Sequence, residues 1–269
     1  MPNIIFSCPF TGKTPYGLNQ SGFRGDEWYA HRAEMFERFT LENLKKQTDQ
    51  DFIWWGQFRK EEKDNPITKR IRASLEKSNI KYVMTFDGPI MMEDRALWHN
   101  IDLLERSVRS LEALQSMITD EWVYEVNLDS DDMVSKDFVA LLKSKEPKER
   151  KAWYLQNGYM YCLDDRMGTW CNPHSMSIYT ICYPAKTFLD PLERWKYQST
   201  TNSHEQFPTF RGLNSHEQIP LIFDAEKLDD GLFCCVNHGG NISTIWEHPF
   251  RKEEIYNDSE KTKILSKFL

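Results

Sequence analysis

The chain has 269 residues, with 34 Lys plus Arg against 41 Asp plus Glu and a formal net charge of −7. Hydrophobic residues at 40% and aromatics at 13% are enough for a core and exclude wholesale disorder. An acidic chain without a Lys/Arg block is a poor general nucleic-acid binder, because that affinity comes from neutralising phosphates.

Asn3 to Cys8 (NIIFSC) reads as an opening strand that ends at Pro9, and the Gly-, Pro-, Asn- and Thr-rich residues 11–27 read as a loop. From about His31 to Gln47, Met35, Phe36, Phe39 and Leu44 recur at helical spacing. DFIWWGQF, Asp51 to Phe58, is a dense aromatic strand. A helix follows over Ile67 to Ser78, and a third strand, Ile80 to Phe86, stops at Asp87-Gly88-Pro89. Leu97, Ile101, Leu104, Val108, Leu111, Leu114 and Ile118 form one apolar stripe on a long helix. Trp122 to Leu128 (WVYEVNL) is a strand by its aromatic and β-branched content. Strands alternating with helices predict an α/β chain around a mostly parallel, doubly wound sheet, whose ligand site lies outside the carboxyl ends of the strands. That placement assigns Pro9 and Asp87 to the ligand crevice.

Beyond residue 150 the pattern loosens into strand-like WYLQNGYMYCL and SMSIYTICYP and a Trp/Gln/Ser/His stretch over 195–220. No linker is visible. The expectation is a single domain in which 1–132 form one half, 133–250 the other, and 251–269 a packing helix. The six cysteines form no CxxC pair and are too sparse for a disulfide scaffold, so they read as reduced thiols, with GLFCCV a buried strand. No run approaches 18 consecutive apolar residues, and MPNIIFSCPF lacks the regions of a signal peptide. A cytoplasmic protein, at most in peripheral membrane contact, is expected.

Asp129, Asp131 and Asp132 lie in NLDSDDM at the end of the fourth strand, with a helix expected over Ser135 to Leu142 and Ser135 as its N-cap. Three carboxylates within four residues repel one another unless a cation or hydrogen-bond donors hold them. A calcium-binding EF-hand loop starting at Asp129 fails, since its fifth, sixth and twelfth positions would be Met133, Val134 and Ala140. A DxDx[TV] phosphatase of the haloacid-dehalogenase type is weakened by Met133 at the fifth position but stays open. The third reading is a DxD motif whose carboxylates hold Mn²⁺ or Mg²⁺ on a nucleoside diphosphate.

Arg32 to Phe58 (RAEMFERFTLENLKKQTDQDFIWWGQF), then NLDSDDMVSKDFV, then VNHGGNIS at Val236 to Ser243, resemble in order three elements of bacterial rhamnosyltransferases. The resemblance implies a single-domain GT-A glycosyltransferase fold with a Rossmann-like central sheet. It also implies a metal-dependent, inverting transfer from a nucleoside-diphosphate sugar, dTDP-rhamnose by family name, to a glycan or glycolipid hydroxyl. Asp131 is then the first metal contact and Asp129 the second or a ribose contact. Asp132 touches the donor, and Pro9 and Asp87 line the nucleotide-sugar site. His238, expected at a strand end before Gly239-Gly240, closes the metal site, because a neutral imidazole suits Mn²⁺ and adds no negative charge.

Residues 202–206 and 214–218 both read NSHEQ. Zinc binding by His204, Glu205, His216 and Glu217 finds no HExxH support. An inverting transferase needs a carboxylate general base, and Glu217, ahead of apolar Ile219, Leu221 and Ile222, is favoured over Glu205. Trp153, Tyr154, Tyr159, Tyr161, Trp170, Tyr179 and Trp195 read as core before sugar-stacking platforms. A phosphatase, or a non-catalytic carbohydrate-binding protein that keeps the fold, is the alternative.

Overall fold

A computed structural model of the chain describes residues 1–10, 25–88, 101–173, 176–200, 211–212, 218–238 and 246–269. In the first half β1 (Asn3–Pro9) precedes α1 (Asp26–Met35), a π-helical stretch (Phe36–Leu41) and α2 (Glu42–Lys45). Then come β2 (Ile53–Gln57), α3 (Pro66–Ser78), β3 (Lys81–Thr85), α4 (Ile101–Gln115), β4 (Trp122–Asn127), β5 (Asp132–Val134) and α5 (Phe138–Lys143). The second half holds β6 (Lys151–Tyr154), β7 (Asn157–Cys162), β8 (Met167–Cys171), β9 (Tyr179–Pro184), α6 (Ala185–Leu189) and α7 (Pro191–Tyr197). These are followed by β10 (Ser199–Thr200), β11 (Arg211–Gly212), α8 (Ile219–Ile222), β12 (Asp224–Lys227), β13 (Phe233–Asn237), β14 (Arg251–Glu254) and α9 (Asp258–Leu265).

The central sheet has seven strands in the order β12-β6-β9-β4-β1-β2-β3. The block β4-β1-β2-β3 is parallel throughout, and β9 runs antiparallel between β4 and β6. This is the mixed, mostly parallel α/β sheet that the alternation predicts. Its first strands are apolar on both faces because both are covered. Ile4, Phe6 and Cys8 join one core with Trp54, Tyr124 and Val126, whereas Ile5 joins a second with Trp55, Val123 and Ile181. Gly56 interrupts the aromatic run because a Cβ there would run into the rings of Trp54 and Phe58. α3 starts where Asn65 accepts a hydrogen bond from the Ile67 N–H ahead of Pro66, and stops at Asn79 in the left-handed region.

A second sheet of five strands, in the order β14-β8-β7-β13-β5, is the main departure from expectation. Its Met160, Cys162, Trp170, Phe233 and Cys235 share the first core with the central sheet. Its other side packs Met133, Tyr161, Met167 and Val236 against Ile264 and Phe268 of the C-terminal region. The helix expected over Ser135 to Leu142 is α5, which starts later with Asp137 rather than Ser135 at its N-cap, because β5 comes just before it and Ser135 N still donates to Leu232 O at 2.9 Å. WYLQNGYMYCL is two strands, β6 and β7, in different sheets. The region 251–269 holds a strand as well as a helix, since β14 pairs with β8. Along the Leu97-to-Ile118 stripe, α4 runs Ile101–Gln115, so Ile118 falls beyond it, while Leu97 lies outside the described residues. Trp153, Trp170, Tyr179 and Trp195 are buried, as a core reading requires.

Candidate active site

The acidic turn sits where the chain leaves one sheet and enters the other. Leu128 N donates to Ser7 O at 3.1 Å at the end of β4. Asp132 N then donates to Asp129 O at 3.3 Å, and β5 begins with Asp132 opposite Cys235. Two side chains from distant parts of the sequence converge on this turn, with a third behind them. Asp131 Oδ2 accepts from Arg32 Nη1 at 2.9 Å and contacts His238 Nε2 at 2.9 Å. His238 Nδ1 lies 2.9 Å from His31 Nε2, the two rings at 65°. An ionised carboxylate requires Nε2 of His238 to donate, so a neutral His238 ring accepts at Nδ1 from His31.

α1 supplies both new residues. Its buried Met35 and the following Phe36 fix which face points inward, and His31 and Arg32 lie one turn earlier on that face. β13 supplies His238, just past Asn237. The side chains of Asp131 and His238 are 5% and 1% exposed, and that of Arg32 is 12% exposed.

Burial alone would raise the Asp131 carboxyl, but the Arg32 charge and the His238 hydrogen bond outweigh it and hold it below the ordinary carboxylate range. Burial works against the Arg32 charge as well, and Asp131 and Asp129 more than offset it. Asp132 goes the other way. Burial first, then repulsion from Asp131 and Asp129, pushes its carboxyl well above the usual range despite Arg32 and a hydrogen bond from Cys235. One of the three carboxyls is thus driven towards its neutral form and one is ion-paired. Asp129 is half-buried, with no side-chain partner among the described residues.

Of the other expected site residues, Pro9 is buried at the carboxyl end of β1. Asp87 follows β3, three strands from β4, or roughly 14 Å at the usual strand spacing. Its carboxylate accepts from Arg109 Nε at 2.8 Å and its carbonyl from Arg106 Nε at 2.8 Å. Glu205, Glu217, His204, His216 and Gly239-Gly240 lie outside the described residues. The structure therefore brings Asp131 and His238 together as the sequence anticipates, and adds Arg32 and His31. Their signal was present, since Arg32 is three and four residues before Met35 and Phe36, and a buried carboxylate needs a cation.

The described residues do not by themselves complete a donor set for the expected divalent ion. Asp131 Oδ2 is already claimed by a guanidinium and an imidazole N–H. Among the described residues no three His, Cys, Asp or Glu side chains are placed to hold one metal. No helix among them is long and apolar enough to cross a membrane. No curated protein matches the chain. Residues 22–179 match a family model described as "Putative rhamnosyl transferase", a span that holds His31, Arg32, Asp87 and the acidic turn and ends before His238.

Proposed function

The chain belongs to this family of rhamnosyl transferases, which are glycosyltransferases by class, and on that premise we propose that it moves a sugar from a nucleoside-diphosphate donor to a hydroxyl of a glycan or glycolipid. The observation that carries this reading is the convergence of Arg32 and His238 on Asp131 at the carboxyl end of β4 in a parallel block, where α/β sheets bind ligands. Asp87, Pro9 and the acidic turn stand at the ends of β3, β1 and β4, so a nucleoside diphosphate lies across them with its base towards Asp87 and its sugar towards Asp129 and Asp131. Asp129, with no ion-pair partner among the described residues, takes a hydroxyl of the ribose or the transferred sugar. Transfer proceeds by inversion, with a carboxylate base on the acceptor hydroxyl, Glu217 first and Glu205 second. dTDP-rhamnose is the first donor to try.

The leaving group gains negative charge as the glycosidic bond breaks, and a fixed cation at its oxygens lowers the barrier without moving a proton. A thermal-shift panel of nucleoside diphosphates, their sugars, nucleoside monophosphates and free sugars tests the assignment. Ligand at about 100-fold over Kd stabilises by about 2.7 kcal/mol, which for a chain of this size raises the melting midpoint by roughly 5–10 °C. Diphosphates and diphosphate-sugars should give that rise, and monophosphates and free sugars should not. No shift with any diphosphate, or release of inorganic phosphate from simple esters, overturns the reading.

A further inference from the structure

A glycosyltransferase must hold a diphosphate, which carries two or more negative charges, beside its own carboxylates, and something cationic has to stand between them. The resemblance assigns that place to a divalent ion, but the residues present are arranged around a different cation. Arg32 commits Nη1 to Asp131, and among the described residues nothing else on its guanidinium is spent on hydrogen bonds. Its Nε is buried with no hydrogen-bond partner among the described residues. An orphaned N–H on a charged group is costly unless a ligand or water answers it.

The unspent donors form a usable set. Guanidinium N–H groups grip two oxygens of a phosphate side by side along one edge, and the Nε/Nη2 edge is the one that Asp131 leaves open. Asp131 in turn is steadied by His238, and His238 by His31, so the arginine is anchored by a chain of side chains from three separate segments. Trp28, whose ring centroid lies 5.7 Å from the Arg32 carbon Cζ, limits the plane in which the guanidinium can sit. Arg32 is thus a charge-bearing residue with one edge fixed and one edge open. Asp131 is its positioning residue.

We infer that Arg32 takes the place expected of the divalent ion, binding the donor diphosphate through its Nε/Nη2 edge while Asp131 holds its Nη1. The inference rests on the glycosyl-transfer reading and deepens it. It makes nucleotide binding independent of added metal and directly dependent on a guanidinium. Asp131 then contributes by orienting Arg32.

Calorimetry of nucleoside diphosphate binding to the full chain, in chelator and in Mn²⁺, tests this for the parent and for Arg32→Gln and Arg32→Lys. Parent affinity should agree within about threefold between chelator and Mn²⁺. Loss of charge-assisted hydrogen bonds of this kind corresponds to roughly 10- to 100-fold, so Arg32→Gln should weaken binding by that factor. Arg32→Lys, which keeps the charge and loses the bidentate edge, should fall by about tenfold. If Arg32→Gln does not fold because Asp131 is left alone, the double variant Arg32→Gln/Asp131→Asn replaces it with the same expectation. Parent binding that vanishes in chelator and returns with Mn²⁺, or an Arg32→Gln protein that binds like the parent, overturns the inference and leaves glycosyl transfer standing. No binding of any nucleoside diphosphate in any arm overturns both.

Discussion

Asp131 and Asp132 are consecutive on one turn, and their surroundings drive their carboxyls in opposite directions. Asp131 is held below its ordinary range, so its contribution to stability is present above the unfolded-state pKa near 3.9 and is lost as pH falls through the lower folded value. Asp132 is held above, so the folded state is favoured most below about pH 3.9 and loses that advantage as pH rises towards the higher folded value. Asp132→Asn, which mimics the protonated form, should therefore be more stable than the parent near pH 7, with the gain shrinking towards pH 4. Asp131→Asn should be less stable at neutral pH by roughly 3 kcal/mol, the scale for a buried charge that loses its partner. Urea unfolding across pH 4–8 reads both, and a loss of stability for Asp132→Asn at pH 7 contradicts this assignment. That the turn needs partners was legible in the sequence, since three carboxylates within four residues repel one another unless something holds them. Which of them is neutral was not legible, because that depends on burial and on Arg32 and His238, about 100 residues away in either direction, pairing with Asp131.

The long helix running through α1, the π-helical stretch and α2 shows the same limit at the scale of an element. Its apolar positions Phe36, Phe39 and Leu44 were visible by spacing and are buried. Its polar positions stitch β5 in place. Thr40 Oγ1 donates to Asp132 O at 2.9 Å. Asn43 Nδ2 donates to Val134 O at 2.7 Å and to Phe268 O at 2.8 Å, while Val134 N donates back to Asn43 Oδ1 at 3.0 Å. Gln47 Nε2 donates to Ser135 O at 2.9 Å. β5 is an edge strand, and these side chains satisfy backbone groups that a neighbouring strand would otherwise meet. Asn43→Ala leaves a buried donor and two buried acceptors without partners and should cost roughly 2–4 kcal/mol. Chemical denaturation measures it, and a cost below about 1 kcal/mol means that β5 is held by its pairing with β13 alone. The helix expected from Ser135 starts only at Phe138 for the same reason, as Ser135 N and Lys136 N donate to Leu232 O and Lys267 O, about 100 residues later or more.

Across the whole molecule the thiols report how tightly the two sheets close. Cys8, Cys162, Cys182, Cys234 and Cys235 are buried, and only Cys171 is partly exposed. Burial pushes the Cys162 thiol to about 11 and the Cys182 thiol to about 12, and raises those of Cys8, Cys234 and Cys235 as well. A thiol reacts as its thiolate, so Ellman's reagent at pH 8 should modify one cysteine promptly in the native chain and all six in denaturant. Prompt modification of three or more would mean that the sheets part readily. The parallel block and the absence of disulfides were readable from alternation and cysteine spacing, whereas the second sheet was not, because its strands pair out of chain order. β13, one of the last strands to be written, lies between β7 and β5, and it also carries the approach to His238. On a ribosome, where the chain emerges from its N-terminus, β5 and β7 must wait some 70 to 100 residues with an edge unfilled. The two earlier residues of the Arg32–Asp131 pair can meet during that interval, but the histidine that steadies them arrives only when the sheet is sealed. Completion of the candidate site and closure of the fold are the same late event in the life of each new molecule.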